Sequence, residues 1–139
     1  MTYLIDTSAL VRVMRKEVGE GWLDLIRRGV VTICAPVLVE ALTTAPAPRY
    51  DEAERTILDA YPLVPVPEDA WEIVASIRRE LAKHSVHQTL SVADYLVAAT
   101  AVKRGLTVLH EDRDFETASR LIPMVRQHRV TEPPPGDAP

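Results

Sequence analysis

The 139 residues suffice for one domain with its own core, and a chain 47% hydrophobic and 26% charged has an ordinary globular balance. A single cysteine excludes an internal disulfide and makes a reducing compartment the expectation. The net charge of −4 argues against a binder that works through a broad basic surface. It leaves open a phosphodiester held through divalent cations between carboxylates and phosphate oxygens.

The opening Met1-Thr2-Tyr3-Leu4-Ile5-Asp6 has neither a basic n-region nor a long apolar stretch, so neither a signal peptide nor a membrane span is expected. A soluble, cytoplasmic protein is the expectation. Tyr3-Leu4-Ile5 reads as a short strand ending at Asp6. Residues 7–15 then place Leu10, Val11, Val13 and Met14 at helical spacing. A second amphipathic segment, 20–28, carries Trp22, Leu25 and Ile26 on one side. The β-branched run 30–34 lies between Gly29 and Pro36 and reads as a buried strand. Pro36 suits the first turn of the next helix, which carries Glu40 and stops near Thr44 ahead of Pro46 and Pro48. Residues 51–61 form a further helix candidate, 63–66 a short strand, 68–83 a long helix, and 91–104 a helix closed by Gly105. Thr107-Val108-Leu109 is the last clear strand. Residues 131–139 are rich in proline and are expected to form a disordered tail behind a domain at 1–130.

Strands separated by helices imply βαβ units and an α/β fold with a mainly parallel central sheet flanked by helices. Ligands bind such sheets beyond the carboxyl ends of the strands, near a switch in strand order. The strands at 3–5 and 107–109 both run straight into acids, Asp6 on one side and Asp112 with Asp114 on the other. If the two are parallel neighbours, these carboxylates converge. Glu40 lies early in the helix after the second strand, and Asp94 in the first turn of its own helix. Like charges about 4 Å apart repel by about 1 kcal/mol even in water, so such a cluster either takes up protons or holds a cation. All-oxygen ligation suits Mg²⁺ or Mn²⁺ rather than zinc, and metal-assisted phosphodiester hydrolysis is chemistry it can serve.

Each acid also has a purely structural explanation. Asp6 can cap the helix that starts at Thr7, and Ser91-Val92-Ala93-Asp94 resembles a capping box. Asp112 and Asp114 suit a turn. Glu40 stands among apolar residues, where an unpaired charge is costly. The joint pattern therefore carries the argument rather than any one acid.

With those residues in place, the chain resembles PIN-domain ribonucleases, specifically the VapC-type toxins of bacterial toxin–antitoxin modules. Tyr3-Leu4-Ile5-Asp6-Thr7-Ser8-Ala9-Leu10 is similar to the first family motif, and Ala35-Pro36-Val37-Leu38-Val39-Glu40-Ala41 to the second. Val37 and Leu38 occupy places where the family often has serine. The third and most specific match is Leu90-Ser91-Val92-Ala93-Asp94-Tyr95-Leu96-Val97-Ala98-Ala99-Thr100-Ala101, and the fourth Val108-Leu109-His110-Glu111-Asp112-Arg113-Asp114-Phe115. The resemblance covers residues 1 to about 125 in the family's order. It implies a single PIN-like domain and a Mg²⁺- or Mn²⁺-dependent endoribonuclease that hydrolyses RNA with metal-activated water. Asp6, Glu40, Asp94 and Asp112 are then metal ligands and catalytic, with Asp114 a further or alternative ligand. Thr7 and Ser8 would hydrogen-bond those ligands or a phosphate. His110 stands where many members carry Thr or Ser. A homodimer and a cognate antitoxin are implied as partners.

Arg12, Arg15, Lys16 and Arg113 are candidates for RNA phosphates, against the commoner explanation of a solvated face. The apolar faces around Leu10, Val13, Met14, Trp22 and Leu25 suit a partner or, more often, the core. Cys34 reads as a buried, inert thiol. The four histidines lack zinc-site spacing, and no glycine-rich phosphate loop occurs. A phosphoaspartate phosphatase is disfavoured because Ser8 replaces the second acid of its Asp-x-Asp pattern, and a phospho-receiver because no acceptor acid follows a middle strand. The rival from another class is a catalytically silent PIN-like module that binds RNA or protein.

Overall fold

The computed structural model describes residues 1–136. Four parallel strands, β1 (Tyr3–Ile5), β2 (Val31–Thr32), β3 (Thr107–His110) and β4 (Gln127–Arg129), lie in the order β2-β1-β3-β4. All three residues of β1 are buried, as expected for a strand paired on both sides and covered on both faces. Its register sets Leu4 against Thr32 on one side and against Val108 on the other. The chain leaves β1 to one side for β2 and returns on the other side for β3. The strand order therefore switches at β1, and the crevice beyond β1 and β3 is the natural ligand position.

Seven α-helices among the described residues complete the α/β fold: α1 (Thr7–Met14), α2 (Glu20–Arg27), α3 (Ala35–Thr43), α4 (Tyr50–Ala60), α5 (Ala70–Ala82), α6 (Val92–Arg104) and α7 (Arg113–Leu121). Among the described residues, no helix is long and apolar enough to cross a membrane. Pro36 takes an early position of α3, where no N–H is needed. Gly105 ends α6 in the left-handed region at φ 66°, and the N–H of Leu106 bonds back to Ala101 O at 2.9 Å. Ala98, Ala99 and Ala101 are buried on α6, and such small side chains allow it to lie close against its neighbours. α6 packs on α5, α3 and β3, and α1 packs on α3 and β3. The elements that carry the acids thus form one contiguous body.

Leu10 and Trp22 belong to the core rather than to a free face, whereas Met14 is exposed. The Trp22 ring stands edge-on to Tyr3, with centroids 5.0 Å apart, and to His128 at 5.2 Å. Its Nε1 donates to Glu132 O at 2.6 Å. Of the 131–139 segment expected to be disordered, Thr131 bonds Glu111 through both its N–H and its hydroxyl. Pro134 lies close against Gly21, and 137–139 fall outside the described residues.

Three differences from the sequence reading have simple causes. The strand expected at 63–66 reduces to a single parallel bridge between Ile33 and Leu63, because Pro65 has no N–H to continue the ladder. β4 and α7 were not anticipated. The Gln-His-Arg strand has no apolar alternation and, among the described residues, pairs with β3 alone. The strand expected at 30–34 shortens to two residues, because Cys34 already serves as the N-cap of α3.

Candidate active site

Asp6 ends β1 with extended backbone and caps α1, accepting from Ala9 N–H at 2.9 Å. The Ser8 hydroxyl lies 2.8 and 2.9 Å from its two oxygens. Capping therefore occupies part of the carboxylate without removing it from the crevice. Burial pushes the Asp6 carboxyl up to about 7, and the charges of Asp94 and Asp112 add to the effect against the opposing Ala9 and Ser8 bonds.

Asp94 forms the capping box of α6: its Oδ2 accepts from Ser91 N–H, and its N–H donates to Ser91 Oγ, both at 3.1 Å. Burial raises its pKa, and Asp112 and Glu40 raise it further. Asp112 caps α7 by accepting from Asp114 N–H at 2.9 Å. The Asp114 carboxyl is raised by burial, by Asp112 and by Asp94. Glu40 is exposed rather than held among the apolar residues around it in sequence, so it carries no burial cost. Its Oε1 accepts from Thr7 Oγ1 at 2.5 Å, which ties α3 to the start of α1.

These interactions converge on Asp94, which shares an electrostatic field with Asp6, Asp112, Asp114 and Glu40 alike. Asp6, Asp94 and Asp112 each sit at a helix N-terminus, where the partial positive charge of about half a unit offsets some of their mutual repulsion. The site thus brings together all five acids singled out from sequence, with Thr7 and Ser8 bonded to two of them. It contains only hard oxygen donors, which suits Mg²⁺ or Mn²⁺ rather than softer metals. Among the described residues, no group of three acids, histidines or cysteines is arranged to hold a metal ion as the side chains stand.

Of the basic candidates, Arg113 begins α7 between Asp112 and Asp114. Arg12 and Arg15 lie at the opposite end of α1 from Thr7, and Arg12 is engaged with Glu17 at 3.6 Å. Lys16 follows them on the same far side, with φ at 58°. The structure therefore does not bring these three together with the acids. Cys34 is buried in the core, and burial raises its thiol to about 11, in keeping with an inert side chain.

Sequence reasoning missed a brace beneath the loop after β3. Glu111 N–H donates to Ser8 Oγ at 2.9 Å, linking that loop to the Asp6 turn. The Glu111 carboxylate accepts from Arg129 Nη1 at 2.7 Å, while Arg129 Nη2 reaches Glu116 at 2.5 Å. Burial works against the ionised Glu111, but its bonds to Thr131 and Arg129 outweigh it and leave its pKa lowered. His110 is fully buried, and its Nδ1 accepts from Asp112 N–H at 2.9 Å. The Nε2 must then carry the proton, and it donates to Gln127 Oε1 at 2.6 Å. Burial lowers the His110 pKa, which favours this neutral tautomer. The imidazole stands where many family members carry a hydroxyl, and it positions the Asp112 backbone. Its unusual residue type at this motif position was the only signal in the sequence.

A family model described as the PIN domain matches residues 3–121. The chain is 41% identical over 98 residues to ribonuclease VapC6 of Mycobacterium tuberculosis, covering 70% of this chain and 77% of that one. It is 33% identical over 135 residues to ribonuclease VapC2 of the same species, covering 96% and 95%. A solved structure of DNA-bound VapBC from Salmonella typhimurium superposes with a TM-score of 0.74 over 94% of this chain and 98% of that one, at 20% identity. The last likeness bears on the fold.

Proposed function

The chain belongs to the PIN-domain family, and from that membership and its acid cluster we propose that it is a metal-dependent endoribonuclease, the toxin of a toxin–antitoxin module. The observation that carries this reading is the placement of Asp94 in the field of four other carboxylates at the carboxyl end of a parallel sheet. Repulsion of that kind is tolerated where the acids serve a purpose beyond folding. Asp6, Glu40, Asp94 and Asp112, with Asp114 beside them, would hold Mg²⁺ or Mn²⁺. Such an ion, when bound, supplies an activated water and neutralises charge on a phosphoryl oxygen.

The surrounding groups hold these acids in place. The Ser8 hydroxyl shares its hydrogen between the two Asp6 oxygens while accepting from Glu111 N–H, so one side chain sets the spacing between the Asp6 turn and the Asp112 loop. Thr7, at the start of α1, orients Glu40 of α3. His110 holds the Asp112 backbone from below, and Arg113 stands at the rim, where a guanidinium can meet a phosphate. Near neutral pH, Asp6 lies close to its midpoint and is poised to release a proton as a cation binds.

By analogy with the VapBC complex, the partner is a cognate antitoxin, and by family resemblance the toxin is a cytoplasmic homodimer. An apolar recess of about 360 Å³ between α1, α2 and α4, edged by the exposed Met14, offers a protein partner a seat.

RNA cleavage by the purified protein tests the reading, with Mn²⁺, with EDTA, and with Asp6→Asn. Cleavage that needs Mn²⁺ and is lost in the variant is the expected result. Cleavage equal in EDTA and Mn²⁺, or intact in Asp6→Asn, would overturn it. A protein that cuts no RNA, and whose melting temperature Mn²⁺ does not raise, would instead be a silent binding module.

A further inference from the structure

A cavity of about 470 Å³ opens beside α7, lined by Arg113, Glu116, Thr117, Ser119 and Arg120 of the helix and by Gln127 of β4. Arg113, Thr117 and Arg120 are spaced four and three residues apart, so they stand on one helix face and span about two turns, roughly 10 Å. The protein as a whole is acidic, yet this cavity is cationic. Among the described residues, neither Arg113 nor Arg120 has a carboxylate partner at ion-pair distance, unlike Arg12, Arg27, Arg28 and Arg129. Arg120 donates to Thr117 Oγ1 at 3.2 Å. Glu116, the acid among the lining residues, is bound by Arg129 and also lies in the field of Arg120.

The hydrogen-bond pattern of the core adds donors on the same side. Asp112 N–H occupies His110 Nδ1, so Nε2–H must donate to Gln127, and the Gln127 carbonyl oxygen turns inward. The Gln127 amide nitrogen, with two N–H groups, is left without a partner among the described residues on a side chain that lines the cavity. Two guanidiniums without a carboxylate at ion-pair distance, two hydroxyls and an amide donor outnumber the single lining carboxylate, which matches an anion. One lining residue, Arg113, opens α7 between Asp112 and Asp114 in the chain, which connects the cavity to the helix turn that carries two of the acids.

Given the nuclease reading above, on which it rests, we propose that this cavity binds a phosphodiester of the RNA strand adjacent to the one cleaved, with Arg120 and Gln127 as its far contacts and Arg113 as its near one. The cavity gives an acidic enzyme a local hold on its substrate and sets the direction in which the strand crosses the acids. Phosphate contacts of this kind position the strand without reading its sequence.

Arg120→Ala tests the subsite, because Arg120 is exposed and touches neither the acids nor the core. Steady-state cleavage of a fluorogenic mixed-sequence ribo-oligonucleotide in Mn²⁺ is followed across a range of salt concentrations. Arg120→Ala should raise KM about tenfold with kcat retained, since it removes a charge-assisted bond from binding alone. The slope of log KM against log salt should fall by about 0.7, the increment for one contact to single-stranded nucleic acid. Arg120→Lys should keep the slope, and Arg28→Ala on α2 should match the wild type. An Arg120→Ala enzyme with wild-type KM and slope overturns the subsite and leaves the nuclease reading standing. A wild-type protein that cuts no RNA overturns both.

Discussion

Replacing Asp6 by Asn should stabilise the fold, and the gain should grow with pH. The Asp6 carboxyl is almost fully buried, and its folded value of about 7 stands well above the ordinary 3.8. Below pH 4 it is protonated in both states and contributes no pH dependence. Between pH 4 and 7 the unfolded chain has released this proton while the folded chain retains it. The folded state then binds more protons, and stability falls as pH rises, by up to about 1.4 kcal/mol per unit. Above pH 7 the loss is complete, at about 4 kcal/mol. Asn keeps an oxygen for the Ala9 cap and carries no proton to lose. At pH 8 in EDTA the variant should therefore melt on the order of 10 °C above the wild type, with little of that difference left at pH 4.5. Circular dichroism melts at half-unit pH steps measure it. A difference between the two proteins that does not change with pH would refute the account of a carboxylate strained by burial and by its neighbours.

Further expectations follow from individual contacts. Ser8→Ala removes both the donor to Asp6 and the acceptor for Glu111 N–H, so RNA cleavage should fall by about 10- to 100-fold while urea denaturation changes little. Activity within twofold of wild type would show that the Ser8 link does not set the geometry. Trp22→Ala empties a fully buried site between Tyr3, His128 and the 131–134 segment, and should cost about 3–5 kcal/mol in urea denaturation. A loss below about 1 kcal/mol would place that packing outside the cooperative core. Mn²⁺ should raise the wild-type melting temperature at pH 7 and leave that of Asp6→Asn nearly unchanged, as differential scanning fluorimetry would show. An equal rise in both would place the ion elsewhere.

What was legible in the sequence follows from where each signal is encoded. The helices that carry the site announce themselves through local chemistry: Pro36 opens α3, Ser91 with Asp94 caps α6, and Gly105 closes it. The acids were visible because each stands at a strand end or in a helix turn whose position the pattern already placed. β4 left no such trace, since it holds its place through backbone pairing with β3 and its side chains are polar. Missing that strand hid Gln127 and Arg129, and with them the support beneath His110 and Glu111. Contacts between residues far apart in sequence, such as Ser8 with Glu111, depend on strand order and register, which short-range patterns do not encode. At 63–66 the apolar pattern favoured a strand, and the missing N–H of Pro65 prevailed.

The most direct test of the acid cluster is single-turnover cleavage by Asp94→Asn beside the wild type in Mn²⁺. Asn can still accept from Ser91 N–H, and removing one charge from the centre of five relieves repulsion, so the fold should be at least as stable. A folded variant, by circular dichroism, whose cleavage rate falls by at least about 100-fold is the predicted result. A folded variant that cleaves within a few-fold of the wild type would contradict the assignment of these carboxylates to catalysis.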